Sequence, residues 1–512
     1  MSRDEALRLI REKGSYTLPP LKAWNPEHKL RNFQEVGAIH LVIKKRFILG
    51  DPVGSGKTPT ALYAWAIIRQ AQLESGKDSR LWVVAKKSAT LQWQGEVKKF
   101  LPSVKTHRLV TASGREGRLE TFKQWLKDKS GAVLLSNWSQ FRDDWEGVKE
   151  IGDLSWLKET QIILDEAHKT KNPESKLGKV TREIVLQADR VHALTATLVQ
   201  NKAHDAYEVA KMIDPGILAL PTFEKLYCTK EDVWLYRNRR KIKVQKTVDY
   251  HHLKEFKEKI AHIYLGREDD EIDMERPDVV HMTRTTTLPP DQRKVYLQAE
   301  CGVFLGSDHN AVAAAMIQAF LAASLPAHYD ANIKKNAKAE LLEELLDDEM
   351  QGQPVLIYTS YRTVVDAYMK HFAKRNPVRI TGTDSDEERA KAQQAFQEGK
   401  TNLIFITDAG GESINLQKAA HVVMVSRPWA PGTYAQVVGR ARRFGSKHKK
   451  ITVWHLSCED TVDEYADAVL LKKFGPVEDI VQGRGNLLPD DQVLSLEIAN
   501  YARRRRTQDA KV

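Results

Sequence analysis

The sequence predicts an α/β protein: two domains of parallel strands alternating with helices, with a helical insertion between them. Three observations point there. Short apolar runs alternate with helical patterns in two separate blocks; each run ends in a polar cluster; and from about Asp214 to Asn336 the alternation stops. Strands joined through helices run parallel, because each helix carries the chain back along a sheet face. Ligands of such sheets gather at the strands' carboxyl ends. The expected divisions are an N-terminal extension (1–28), a first α/β domain (29–213), the insertion (214–336), a second α/β domain (337–475) and a basic tail (476–512).

The first block begins with Leu30-Arg31-Asn32-Phe33-Gln34, ahead of a helical pattern through Val36, Ile39, His40, Val42 and Ile43. An aromatic and a glutamine at this distance before a phosphate loop suit an adenine; an ordinary amphipathic helix reads the same way. Arg46–Ala61 follows as RFILGDPVGSGKTPTA. Apolar Phe47, Ile48 and Leu49 give way to a glycine-rich turn, then to a helix through Leu62, Ala66 and Ile67. Strand, loop and helix in that order form a phosphate cradle. Gly54, Ser55 and Gly56 bring backbone N–H groups to a polyphosphate, and the helix N-terminus adds its positive end. Lys57 reaches the β- and γ-phosphates of ATP, and the Thr58 hydroxyl ligates Mg²⁺. Six places before Lys57 the strict pattern has glycine; here stands Asp51.

Four more strands complete this block. Leu81–Ala85 ends in Lys86-Lys87-Ser88 and a helix carrying Trp93; Ala132–Leu135 ends in Ser136-Asn137-Trp138. Gln161–Leu164 runs into Asp165-Glu166-Ala167-His168, and a further run, Val191–Leu194, leads into Thr195-Ala196-Thr197. A carboxylate pair at a strand end has a specific use beside a phosphate loop. Asp165 can hold Mg²⁺ through water, and Glu166 can polarise the water that attacks the γ-phosphate. The alternative is a plain helix cap.

The middle reads as helical, charged and irregular, with Arg237-Asn238-Arg239-Arg240-Lys241 and the acidic run Glu268–Glu271. It offers no clear aromatic hairpin. His251-His252 lacks the partner spacing of a metal site. Ala311–Leu325, rich in alanine and interrupted by Gln318, is too short to span a bilayer and reads as a buried helix.

In the second block, Pro354–Thr359 leads to Ser360-Tyr361-Arg362, and Val378–Thr381 to Gly382. Asn402–Thr407 leads to Asp408-Ala409-Gly410-Gly411-Glu412, and His421–Ser426 is a fourth strand. No phosphate loop occurs here. Gln436–Arg443 (QVVGRARR) puts Arg440 and Arg443 three apart, on one face if helical. Two such arginines suit fingers that complete an ATP site in the facing domain; a solvated basic face is the plain alternative.

Composition narrows the class. The 512 residues, 42% hydrophobic and 29% charged, make a globular chain too long for one core. Cys228, Cys301 and Cys458 form no disulfide framework. The charged start MSRDEALRLIREKGSY lacks a signal peptide's apolar core, so a cytoplasmic or nucleoid-associated protein without membrane contact is expected. A net charge of +11 favours a polyanionic partner, and Arg503–Arg506 adds a solvated basic end.

Together these motifs resemble superfamily 2 helicases, and in detail the Swi/Snf-type branch of ATP-driven DNA translocases. The resemblance runs from about Leu30 to Leu470. The branch's phosphate loop begins DxxGxGKT, so Asp51 is a family mark. DEAHKTKNPESK (Asp165–Lys176) matches the DEAH box with its KN-x-x-S/T-K extension. LTATLVQN (Leu194–Asn201) matches LTGTPxxN, with Ala196 for Gly and Leu198 for Pro. FITDAGGESINL (Phe405–Leu416) carries Ser413 for the last Gly, and QVVGRARRFG (Gln436–Gly445) is followed by Ser446 for Gln. Trp429 matches the tryptophan of WNP, and LPPDQRKVY (Leu288–Tyr296) resembles the return into the second domain.

The resemblance implies two RecA-like domains that clamp ATP and track along DNA. It implies Gln34 on adenine, Lys57 and Thr58 on phosphate and Mg²⁺, and Asp165 and Glu166 in hydrolysis. Arg440 and Arg443 become fingers, with Gln436 at the nucleotide and Thr195 and Thr197 in coupling. Lys86, Ser136, Ser360 and Gly410 fall where family members touch the phosphodiester backbone. The compact layout is similar to fork-remodelling members and to small phage and bacterial relatives. The expected activity is a DNA-stimulated ATPase, working as a monomer, that translocates on duplex or branched DNA, with branch migration or displacement of bound protein. Competing readings are a strand-separating helicase on DNA or RNA and an ATP-gated DNA-binding scaffold. Without an aromatic hairpin, tracking on duplex is expected over unwinding.

Overall fold

The computed structural model describes residues 21–466 except 78, 129–130, 197, 199–202, 238–239, 268–269, 273–275, 304–310, 409–413, 429–430, 444 and 465. They fall into two compact units. The first lies within Met1–Tyr227 and His252–Met274, the second within Cys228–His251 and Glu275–Asp479.

In the first unit, β1 (Arg46–Leu49), β2 (Arg80–Ala85), β3 (Thr106–Arg108), β4 (Val133–Asn137), β5 (Thr160–Asp165) and β6 (Arg190–Leu194) alternate with helices. The chain then forms a hairpin, β7 (Cys228–Arg237) and β8 (Arg240–Tyr250), that clusters with the second unit. It returns to add β9 (Tyr264–Leu265) to the first sheet. That sheet is parallel throughout, in the order β3-β4-β2-β5-β6-β1-β9. Its central strands are continuous apolar runs because helices cover both faces; Ile48, Leu81, Val83, Ile163 and Leu194 are fully buried. Helix α1 (Asn32–Ile43) precedes β1, α2 (Lys57–Glu74) follows it, and α3 (Lys87–Phe100) follows β2. Ala61, Leu62, Trp65 and Ile68 recur at helical spacing along α2 and form its buried face.

The second unit holds β10 (Asp278–Thr286), β11 (Val355–Tyr358), β12 (Val378–Ile380), β13 (Leu403–Ile406), β14 (His421–Met424) and β15 (Lys450–Cys458). They form a parallel sheet in the order β10-β15-β14-β11-β13-β12. Among its helices, α4 (Ala311–Ser324) buries Ala319, Phe320, Ala322 and Ala323, as its alanine-rich sequence predicts. Helix α5 (Ala337–Asp348) is anchored by an enclosed ion pair. Lys338 Nζ donates to Asp463 Oδ1 at 2.8 Å and to the Val425 carbonyl at 2.9 Å.

The middle of the chain departs from the expected helical insertion. Helices occur there, but so do β7–β8, the β9 strand of the first sheet and the β10 edge of the second. Charge hid the strands: in β8, lysines at 241, 243 and 246 surround Ile242 and Val244, a half-polar period-2 pattern. The expectation of no aromatic hairpin fails with it, because β7 carries Trp234 and Tyr236. Among the described residues, no helix is long and apolar enough to cross a membrane.

Candidate functional site

β1 delivers the chain to the phosphate loop and α2 takes it away, beginning at Lys57. Gly54 and Gly56 have φ of 80° and 82°, a region that favours glycine. A Cβ on Gly56 would lie 2.3 Å from Gln34 Nε2. That amide donates to the Ser55 carbonyl at 2.9 Å, while Gln34 Oε1 accepts from the Arg31 N–H at 3.0 Å. The glutamine expected at an adenine is therefore fastened to the loop. Lys57 Nζ donates to the Asp51 and Pro52 carbonyls at 2.8 and 2.9 Å, which holds its ammonium within the curl of the loop. The buried Ser55 hydroxyl oxygen has no hydrogen-bond partner, and Thr58 lies half-buried in the first turn of α2. An orphaned hydroxyl, an inward ammonium and a helix N-terminus are a donor set that fits a polyphosphate with its cation.

Asp51 has a partner that sequence reasoning missed. Arg267, just past β9, donates Nε to Asp51 Oδ1 at 2.9 Å and Nη2 to Oδ2 at 2.5 Å. Its Nη1 donates to the Phe33 carbonyl at 2.9 Å, and its guanidinium lies 5.6 Å from the Phe33 ring centroid. Both side chains of the ion pair are almost fully enclosed. One arginine thus braces the start of the loop against the segment that carries Gln34. A separation of 216 residues hides the pair from any local pattern.

The acidic pair sits at the end of β5. Two indoles hold Asp165: Trp93 Nε1, from α3, donates to Oδ2 at 2.9 Å, and Trp138 Nε1 donates to the backbone carbonyl at 3.1 Å. Trp138 is set by a capping box, in which Asn137 Oδ1 accepts from the Gln140 N–H and Gln140 Oε1 from the Asn137 N–H. Burial, and then the neighbouring Glu166 charge, raise the Asp165 carboxyl to about 6; the Trp93 bond, Lys57 and Lys86 pull the other way. Glu166 adopts a left-handed backbone, φ 56°, of the kind stored at functional sites. His168 Nδ1 lies 3.3 Å from Glu166 Oε2 and 3.2 Å from Thr195 Oγ1. Burial lowers that imidazole to about 4, so it is neutral at pH 7. The expected coupling residue Thr195 therefore meets the DEAH histidine directly; Thr197 lies outside the described residues.

The expected DNA contacts fare unevenly. Ser136 is fully enclosed, and its Oγ accepts from Trp82 Nε1 at 2.8 Å, so this hydroxyl does not reach a phosphate. A small polar residue ending a strand can turn inward as easily as outward, which the sequence does not distinguish. Lys86 is also almost buried, and its charge acts on Asp165 and His168. Ser360 stays half-exposed at the end of β11, its N–H donating to Ser426 Oγ at 2.9 Å and its hydroxyl 2.9 Å from Tyr358 OH. Gly410 lies outside the described residues, as does Trp429.

In the second unit, helix α6 (Pro431–Ala441) carries half-buried Gln436 and buried Arg440. It ends before Arg443, so the two arginines do not share one helical face as their spacing suggested. Arg443 Nε donates to the Gly439 carbonyl at 3.0 Å and Nη1 to Asn415 Oδ1. Burial, then Arg440 and Arg276, lower its guanidinium to about 9. Crowded arginines bonded to neutral acceptors suit an incoming anion.

Comparison with known proteins agrees. The chain matches the SNF2-related domain over residues 39–346 and the helicase conserved C-terminal domain over 337–445. It is 24% identical to the ATP-dependent helicase YqhH of Bacillus subtilis, over 89% of this chain and 78% of that protein. It is 25% identical to a putative ATP-dependent helicase/translocase of the same organism, YwqA (89% and 50%). It is 24% identical to the ISWI chromatin-remodeling complex ATPase ISW1 of Saccharomyces cerevisiae (85% and 39%). The chain thus spans half or less of the last two. A solved Sulfolobus solfataricus SWI2/SNF2 ATPase core in complex with dsDNA is 21% identical, with a TM-score of 0.41 over 91% of this chain and 96% of that one. With an SNF2-related domain covering more than half its length, the chain belongs to the SNF2 family of ATP-dependent helicases and translocases and is an ATP-hydrolysing enzyme.

Proposed function

We propose that this enzyme uses ATP hydrolysis to move along DNA, remodelling forks or branched DNA or displacing bound protein. The observation that carries this reading is the double indole grip on Asp165. Trp93 belongs to the helix after β2 and Trp138 to the helix after β4, the two segments that follow Lys86 and Ser136, where the family resemblance leads one to expect the DNA backbone. A strand of DNA that shifts either segment would shift the carboxylate, so grip and hydrolysis are linked through two hydrogen bonds. In this reading Lys57 and the loop N–H groups hold the phosphates, and Thr58 and Asp165 hold Mg²⁺. Bound Mg²⁺ neutralises charge on the β- and γ-phosphates. Glu166 accepts the proton of the attacking water, and neutral His168, with Nδ1 3.3 Å from Glu166 Oε2 and 3.2 Å from Thr195 Oγ1, joins the two. Arg440 and Arg443 supply transition-state cations.

The test is an ATPase assay with single-stranded, duplex, forked and four-way DNA, and RNA, alongside displacement of a third strand from a triplex. Expected are turnover stimulated most by branched DNA, triplex displacement that requires ATP, and loss of both in Lys57→Ala. Glu166→Gln should bind ATP without hydrolysing it. Turnover indifferent to every nucleic acid would overturn the reading.

A further inference from the structure

Of the two serines expected on the phosphodiester backbone, Ser136 is enclosed and Ser360 stays half-exposed. A phosphate oxygen only accepts hydrogen bonds, so Ser360 can hold one through its backbone N–H or its hydroxyl proton. The N–H is committed: it donates to the buried Ser426 Oγ, just past β14, at 2.9 Å. The hydroxyl oxygen lies 2.9 Å from Tyr358 OH, and that phenol donates to Asp408 Oδ1, just past β13.

Counting protons fixes the direction of this chain of bonds. The exposed Asp408 carboxylate only accepts, and a tyrosine has a single O–H. Tyr358 is fully buried; burial, then the Asp408 charge, hold its phenol well above the usual tyrosine range, so it keeps that proton at neutral pH. With the proton on Asp408, the bond between the two hydroxyls is made by Ser360, which donates to the phenol oxygen. Both donors of Ser360 are then spent within the protein. What its oxygen offers a phosphate is lone pairs, which repel it.

We propose that Tyr358 is a positioning residue that withholds the Ser360 hydroxyl from DNA phosphate for as long as Asp408 takes the phenol proton. When Asp408 leaves the phenol, that proton turns to Ser360 Oγ and the serine proton is released to phosphate. The end of β13 thereby governs the grip at the end of β11. The two strands are paired neighbours, with Tyr358 opposite Ile406, two residues before Asp408. This rests on the DNA-translocase reading and adds to it the group that makes one phosphate contact conditional.

Variants of the full chain test it: Tyr358→Phe, Ser360→Ala and the two combined, with Asp408→Ala as a second route that leaves the buried ring in place. Binding of labelled duplex and forked DNA is followed by fluorescence anisotropy across a salt series, with the urea midpoint as the check on folding. Tyr358→Phe removes the acceptor that holds the serine proton, so DNA affinity should rise about fivefold, the worth of one ordinary hydrogen bond. No charge changes, so log K against log salt should run parallel to the wild type. In the combined variant the gain should vanish; a side chain that only supported the fold would lower affinity when changed. Asp408→Ala should also tighten binding, and by more with Ser360 in place than with Ser360→Ala, a comparison that separates the proton from the lost negative charge. Wild-type or weaker affinity in a folded Tyr358→Phe protein, or a gain that survives Ser360→Ala, would overturn the role of Tyr358 while the translocase stands. If Tyr358→Phe does not fold, the Asp408→Ala comparison decides in the same way. A wild-type protein that binds no DNA would overturn the translocase, and this inference with it.

Discussion

Trp93 Nε1 lies 2.9 Å from Asp165 Oδ2, an indole donor on a carboxylate that burial has already made reluctant to ionise. Hydrogen bonding to the charged form favours it, so Trp93 keeps the carboxylate available, near neutral pH, for the metal-ligand role proposed for it.

Trp93→Phe keeps most of the ring and removes the donor. The acid limb of kcat/KM for ATP, which reports the free enzyme, should move up by about one pH unit, the worth of a hydrogen bond to a charged group. At pH 8.5 turnover should recover towards wild type. A uniform loss at every pH would make Trp93 a packing residue only.

Arg267 gives a second prediction. Replacing it with Met leaves Asp51 charged and enclosed without a partner, which costs about 3–5 kcal/mol. Combining Arg267→Met with Asp51→Asn should restore most of that stability, read as the urea midpoint. Because the brace also joins the Phe33 segment to the loop, KM for ATP should stay raised in the double variant while kcat changes less. Equal stabilities of the single and double variants would show that the pair is not the loop's support.

The Asp51–Arg267 pair also marks the limit of what the chain discloses one segment at a time. The strand ends at Asp165, Thr195 and Ser360 were legible because apolar runs stop abruptly at polar clusters. Asp51 was legible as a departure from the glycine pattern, but its reason stands 216 residues away. The inward turn of Ser136 is not legible, because a hydroxyl bonded to Trp82 and one facing a phosphate share one sequence. The hairpin was missed because basic residues masked its alternation, and the helical stop before Arg443 because residue spacing alone does not mark where a helix ends.

Arg440 and Arg443 provide a third prediction. Each Arg→Ala change should cut turnover by about 10³-fold or more, the scale of an arginine finger, with a far smaller effect on ATP affinity. Single-turnover rates beside nucleotide binding separate the two effects. Near-wild-type turnover in both variants would reduce these residues to ordinary parts of the second unit.

The last prediction sets activity against stability at Asp165. Its carboxyl titrates at about 6 in the fold against 3.8 when unfolded. Between those values the folded chain holds a proton that the unfolded chain has released. Folding is therefore penalised progressively as pH rises from 3.8 to about 6, in full above 6 and not at all well below 3.8. Asp165→Asn keeps an acceptor for Trp93 and removes the charge, so it should raise the nucleotide-free stability at pH 8. Near pH 4 the two proteins should be almost equally stable. The same change removes the proposed Mg²⁺ ligand and should abolish turnover at every pH. Urea unfolding of both proteins at the two pH values measures the difference. A stability gain that does not depend on pH would mean that the burial of this carboxylate is not what the site pays to keep a metal ligand dry.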